Sequence, residues 1–155
     1  MLNRAYEGQN CSIAATLELV GERWTLLIVR DAFLGLKRFD EFQASLGIAR
    51  NVLTDRLGRL VEAGIFEKVR YSERPERFEY RLTSKGRELN VALTALRQWG
   101  DKHLLDEPPR LLRCRDDKTP VIAALVAEDA DVLGPRDVEI VDGPGRNRLR
   151  HRRVG

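Results

Sequence analysis

Cysteine is scarce in this sequence. Cys11 and Cys114 stand more than 100 residues apart, a separation that builds neither a disulfide framework nor a metal-ligand spacing. Histidine is equally sparse: His103 and His151 have no carboxylate or nucleophile pattern around them, and Cys114 has no histidine nearby. No metal and no cofactor are therefore expected. No apolar run approaches the roughly 20 residues that would cross a bilayer, so no membrane role is expected. The opening residues mix Asn3, Arg4, Glu7 and Asn10 with few apolar ones and do not form a secretory leader. Lone thiols suit a reducing compartment, which makes the cytoplasm the expected location. A P-loop, a Gly-rich dinucleotide motif and a nucleophile elbow are all missing, so an enzyme is not expected. Net charge is small too: +3 is not by itself a signature of nucleic-acid binding.

What is present is better organised than the totals suggest. A chain of 155 residues, 43% apolar and 33% charged, can fold around one ordinary core with a small appendage. Residues 36–87 hold 12 Lys or Arg against 8 Asp or Glu, whereas residues 88–145 hold 7 against 12. The last ten residues add five arginines and no acid. A basic block beside an acidic one implies a face meant for phosphate.

Apolar periodicity and punctuation predict the elements. Residues 12–20 form a short helix with Ser12 as N-cap and Gly21 as stop, and residues 24–34 form a second, largely buried one closed by Gly35. A third short helix starts at Arg38 and ends near Gly47. The fourth spans 49–63, with Val52, Leu53, Leu57, Leu60 and Val61 on its buried face and Gly64 beyond it. Residues 65–71 and 78–82 alternate as strands around a polar hairpin tip. Thr83 or Ser84 then caps a long helix reaching about residue 105. Pro108-Pro109 marks a boundary, after which 111–115, 121–127 and 138–141 are expected as short strands. The expected domains are thus 1–106, a small β-rich extension over 107–145, and a basic disordered tail over 146–155.

Three helices, a strand, a polar tip and a strand form the order of a winged helix-turn-helix. The fold class is accordingly α+β, mainly helical. In such a fold the helix after the turn lays its exposed face in the major groove and the hairpin reaches along the duplex. Opposite the leucine stripe lie Arg50, Asn51, Thr54 and Asp55 as base-reading candidates, with Gly58 leaving room for close approach. Arginine and asparagine can make bidentate contacts with guanine and adenine edges. Lys37, Arg38, Arg56, Arg70, Arg74 and Arg77 suit phosphate contacts on double-stranded DNA. Each residue also has a plainer explanation as a solvated side chain or a soluble turn, and a winged helix can serve as a protein-interaction module without specific DNA binding.

A longer set of residues resembles the HxlR family of bacterial helix-turn-helix regulators. It comprises Cys11 with Ile13, the run Gly21-x-Arg23-Trp24-Thr25, and Arg38-Phe39-x-Glu41-Phe42. It continues through Leu53-Thr54-x-Arg56-Leu57, Leu60 and Ala63-Gly64-Ile65, then Arg74-Pro75-x-Arg77-Phe78-Glu79-Tyr80 and Leu96-x-x-Trp99. Ser12, where the family usually carries proline, and Ala49, where relatives often have a serine-like cap, depart from the pattern. The resemblance implies a DNA-binding transcription regulator, more often a repressor, acting as a homodimer on a pseudo-palindromic operator. It implies pairing through the first and last long helices, here through Leu17 and through Leu89, Leu93, Leu96 and Trp99. In some relatives a cysteine at the position of Cys11 senses oxidants or electrophiles. A helix N-terminus can lower a thiol pKa; a small buried structural cysteine is the competing explanation. An effector, small molecule or electrophile, is compatible with the resemblance but not specified by it.

Overall fold

A computed structural model describes Tyr6, residues 11–124 and residues 138–142. By backbone contacts the chain divides into two compact units, residues 1–88 and 89–155.

The first unit holds α1 (Ser12–Val20), α2 (Thr25–Phe33), α3 (Phe39–Leu46), α4 (Arg50–Glu62), β1 (Phe66–Glu73), β2 (Glu76–Leu82) and the single turn α5 (Ser84–Arg87). It is a winged helix. Apolar spacing along the helices and the first strand residue buries Ile28, Val29, Phe42, Leu53, Leu57 and Phe66 completely or nearly so. Each such side chain contributes about 1.5–3 kcal/mol through removal from water. Phe42 and Phe66 meet edge to face, with ring centroids 6.3 Å apart, which ties α3 to the base of the hairpin. Of the five apolar residues predicted to face inward on α4, Leu53, Leu57 and Leu60 are buried, while Val52 and Val61 lie at the margin.

Helix ends account for most differences from the sequence pattern. Cys11, not Ser12, occupies the N-cap of α1, and its side chain makes no cap hydrogen bond. Ser12 is the first helical residue, and its carbonyl accepts from the Thr16 hydroxyl at 2.9 Å. Trp24 lies outside α2 as its N-cap, in the left-handed region at φ 79°, a conformation that costs a bulky residue of order 1–3 kcal/mol. The Arg23 guanidinium lies 5.0 Å over its ring. Between α3 and α4 the chain turns at Gly47, φ 61°, where glycine avoids the Cβ penalty. Glu41 secures the other end of α3 by accepting from the backbone N–H of Lys37 at 2.8 Å and of Arg38 at 2.9 Å. Those two donors hold its carboxyl pKa below the ordinary value.

The hairpin is longer than its alternation indicated. β1 and β2 pair antiparallel from Phe66↔Leu82 out to Glu73↔Glu76, with an irregularity between Arg70 and Ser72. Polar residues at the tip pair as well as apolar ones because the ladder uses backbone groups alone. At its base, Tyr80 donates its N–H to the Lys37 carbonyl at 2.7 Å, joining the segment before α3 to β2. α2 contains the one acid that is wholly buried among the described residues: Asp31 Oδ1 accepts from Arg30 Nε at 2.9 Å and Nη2 at 2.6 Å. Its Oδ2 has no hydrogen-bond partner among the described residues.

The long helix predicted to run from residue 83 or 84 to about 105 is two helices. α5 is one turn, and α6 (Asn90–His103) begins the second unit after a break at Glu88 and Leu89. Gly86 is pressed against the hairpin base so closely that a Cβ there would lie 2.2 Å from the Ile65 carbonyl oxygen. This contact anchors α5 to the wing. Glycine at 86 and asparagine at 90 are weak helix formers, whereas the leucine spacing runs through the break unchanged and so hides it. The second unit also contains β3 (Arg110–Cys114) and β4 (Val138–Asp142), an antiparallel pair. The strand predicted over 121–127 is absent in its described part, residues 121–124. Instead the Gln98 side chain accepts from Ala123 N at 3.0 Å, substituting for a strand partner. Residues 125–127 of that prediction, and the tail predicted over 146–155, lie outside the described residues.

Candidate nucleic-acid interface

With its leucines turned inward, α4 exposes Arg50, Asn51, Thr54, Asp55 and Gly58. The first turn is preorganised by α3: the Arg50 guanidinium lies 5.0 Å over the Phe39 ring, an attraction worth about 0.5–1 kcal/mol at an exposed site. Thr54, exposed, donates its hydroxyl to the Arg50 carbonyl at 2.9 Å. Around Gly58 there is open space, with no heavy atom within 4 Å of where a Cβ would stand.

Asp55 and Arg56 depart from a simple outward face. The Arg56 side chain is only 18% exposed and its Nη2 lies 2.5 Å from Glu22 Oε2. Its Nε also donates to the Arg23 carbonyl at 3.3 Å. Asp55 bonds Arg56 and also pairs with Arg59 at 3.1 Å, and Arg59 reaches the second oxygen of Glu22. Four charges therefore clamp α4 to the α1–α2 connection. Arg56, expected among the phosphate contacts, is engaged by that clamp, and Asp55 is largely committed to its arginine neighbours. The i,i+4 spacing of Asp55 and Arg59 was visible in sequence. Glu22, more than 30 residues away, gave no such signal.

On the wing, Arg74 and Arg77 are exposed and have no ion-pair partner among the described residues. Arg70 sits 3.6 Å from both Glu73 and Glu76, partners that remain solvent-screened and weak. Arg38 lies 4.8 Å over the Tyr71 ring and 3.9 Å from Glu79, while Lys37 is exposed beside it. The unit thus places an exposed polar face on α4 and unpaired cations at the hairpin tip, with Lys37 and Arg38 at the entry to α3.

The candidates for self-association are also placed. On α1, Leu17 is exposed together with Ile13; on α6, Leu96 and Trp99 are more than half exposed, whereas Leu89 and Leu93 are half-buried. Cys11 is exposed at the N-cap of α1. Among the described residues no group of His, Cys, Asp or Glu could hold a metal ion, and no helix is long and apolar enough to cross a membrane.

Comparison with known proteins agrees with this geometry. Rv3095 of Mycobacterium tuberculosis, named as an HTH-type transcriptional regulator, is 44% identical over 149 residues, which cover 93% of this chain and 92% of that protein. The crystal structure of PA1607, described as a candidate transcription factor, superposes with a TM-score of 0.70 at 44% identity and covers 86% of this chain and 96% of its own. The reduced form of the transcriptional regulator YodB from B. subtilis matches with a TM-score of 0.53 at 30% identity, over 62% of this chain and 96% of that one. Residues 19–108 match the family model of the HxlR-like helix-turn-helix. The chain belongs to the HxlR-like helix-turn-helix family.

Proposed function

We propose that this protein is a sequence-specific, homodimeric transcription regulator, acting as a repressor in the cytoplasm on a pseudo-palindromic operator in double-stranded DNA. The observation that carries the proposal is the exposed Arg50–Asn51–Thr54 face of α4 together with unpaired Arg74 and Arg77 at the wing tip. Arg50 and Asn51 read base edges, Thr54 supports them, and Asp55 contributes little because its charge is already paired. Lys37, Arg38, Arg70, Arg74 and Arg77 hold phosphates, and Arg56 positions α4 through Glu22 instead of touching DNA.

Two copies joined through the apolar residues of α1 and α6 present two recognition helices to half-sites about 34–36 Å apart along the duplex. Exposure of Cys11 favours a thiol that an oxidant or electrophile can reach over a buried structural one. A relative solved in a reduced form, YodB, is consistent with this.

The test is fluorescence anisotropy of the full chain on duplexes from its own upstream DNA, repeated over a salt series. Tight binding to one segment whose affinity falls steeply with salt, through counterion release, supports the proposal. A flat response on every duplex favours a winged-helix protein-interaction module, for which the acidic balance of residues 88–145 would be the explanation.

A further inference from the structure

The second unit has a half-open cavity of about 500 Å³ between one face of α6 and the β3 segment, a volume within the range of small-molecule sites. Among the described residues its charged lining is Arg97, Lys102, Arg110, Arg113 and Lys118 against one acid, Asp101. Composition accounts for only part of that bias, because residues 97–118, from which these cations come, carry six bases and five acids. The fold turns most cations of that mixed stretch to the cavity and leaves Asp106, Glu107, Asp116 and Asp117 out of its lining.

Arg97 is the central group. It is half-buried, and among the described residues it makes no hydrogen bond and no ion pair within 4.0 Å. Burial pulls its pKa down, with Asp101 opposing only in part; burial likewise raises the Asp101 carboxyl. A partly desolvated guanidinium without a bonded partner is costly until an anion arrives. Apart from Thr94 and Gln98 the remaining wall is apolar, with Leu112 buried and Ile122 69% exposed. Gln98 fixes that wall by bonding both the N–H and the carbonyl of Ala123, at 3.0 and 3.4 Å.

We propose that this cavity is a binding site for a small organic anion, an apolar or aromatic body bearing a carboxylate or sulfonate. Arg97 grips the anionic group through its planar fork, Lys102 and Arg110 supply the surrounding positive field, and Leu112 and Ile122 cover the body. The cavity face of α6, Thr94, Arg97 and Asp101, lies opposite Leu96 and Trp99 at the 3.6-residue period. A ligand seated here therefore bears on the helix proposed to join two copies. The site itself involves only residues of the second unit and stands whether or not the first grips DNA.

The test uses anilinonaphthalene sulfonate, whose fluorescence rises on entering an apolar site, with the full-length chain. Saturable binding of one dye per chain is expected, displaced by 1-naphthoate but not by the neutral 1-naphthalenemethanol. Arg97→Leu should weaken it by roughly tenfold or more, the loss of one charged hydrogen bond. Lys102→Ala, at an exposed position that leaves folding intact, should weaken it by a smaller factor, and Arg81→Gln in the first unit should change nothing. Unsaturable dye uptake, equal displacement by both naphthalenes, or wild-type affinity in Lys102→Ala and in a folded Arg97→Leu would each overturn the proposal. If Arg97→Leu does not fold, Lys102→Ala and the displacement pair decide it.

Discussion

Gly58→Ala separates the stability of α4 from its proposed use. Gly58 lies in mid-helix, exposed, with nothing within 4 Å of an added Cβ. An alanine there meets no clash within the chain and removes backbone freedom from the unfolded state. The helix interior gains about 0.8–1.0 kcal/mol, which corresponds to a melting-temperature rise of roughly 3 °C for a chain of this size. Binding should move the other way. Gly58 lies one turn beyond Thr54, on the face that carries Arg50. If this face docks closely in the groove, the methyl overpacks the contact at about 1–3 kcal/mol, a loss of roughly 5- to 150-fold. Circular-dichroism melts and anisotropy on the operator duplex measure the two effects on one preparation. A variant that melts higher and binds as tightly as the parent refutes close groove approach at Gly58. One that melts lower refutes the assignment of open space around it.

Four further outcomes are expected. Asn51→Ala should cost about 1–3 kcal/mol on the operator and relax preference at one base pair, whereas Arg74→Ala should weaken all sequences alike and reduce the salt slope by about 1; identical behaviour of the two variants would contradict the division between base and phosphate contacts. Trp99→Glu should convert the proposed dimer into a monomer by sedimentation without unfolding α6, since Trp99 is 58% exposed; a parent that is already monomeric would refute the dimer, and a variant that stays dimeric would refute this contact. Glu41→Gln should destabilise the first unit by roughly 0.5 kcal/mol at neutral pH, the low end for a solvent-screened cap. Because the folded carboxyl pKa is lowered from 4.5, this contribution is present above pH 4.5 and disappears as pH falls through the lower folded value, so parent and variant should converge in acid melts. Alkylating Cys11 with iodoacetamide in a Cys114→Ser background should release operator DNA if the thiol is a sensor, and unchanged affinity would end that reading.

Much of the first unit is legible in residue order because its signals are local. The leucines at 53, 57 and 60 mark the buried side of α4 and thereby its exposed Arg50–Asn51–Thr54 side. Glycines at 47 and 64 end helices through left-handed backbone, and alternation around Phe66 and Phe78 marks a hairpin. Each of these follows from steric or periodic rules acting over a few residues. The role of Arg56 was not legible: the same spacing that gives a helix an outward arginine also allows an inward one. The choice belongs to Glu22, brought alongside by the packing of α1 against α4. The break before α6 was hidden for a related reason, since leucine spacing is uninterrupted there and the close approach of Gly86 to Ile65 is a tertiary contact. The cavity around Arg97 is the extreme case, with cations dispersed from 97 to 118 among nearly as many acids and gathered by the fold. Sequence alone determined most of the helices of the first unit, which face of each is apolar and where Gly47 and Gly64 turn the chain, because those depend on neighbours three or four positions away. Tertiary structure alone decided which distant charges meet, Glu22 with Arg56 and Arg59 above all, because such a salt bridge is set by distance in space and not by separation along the chain.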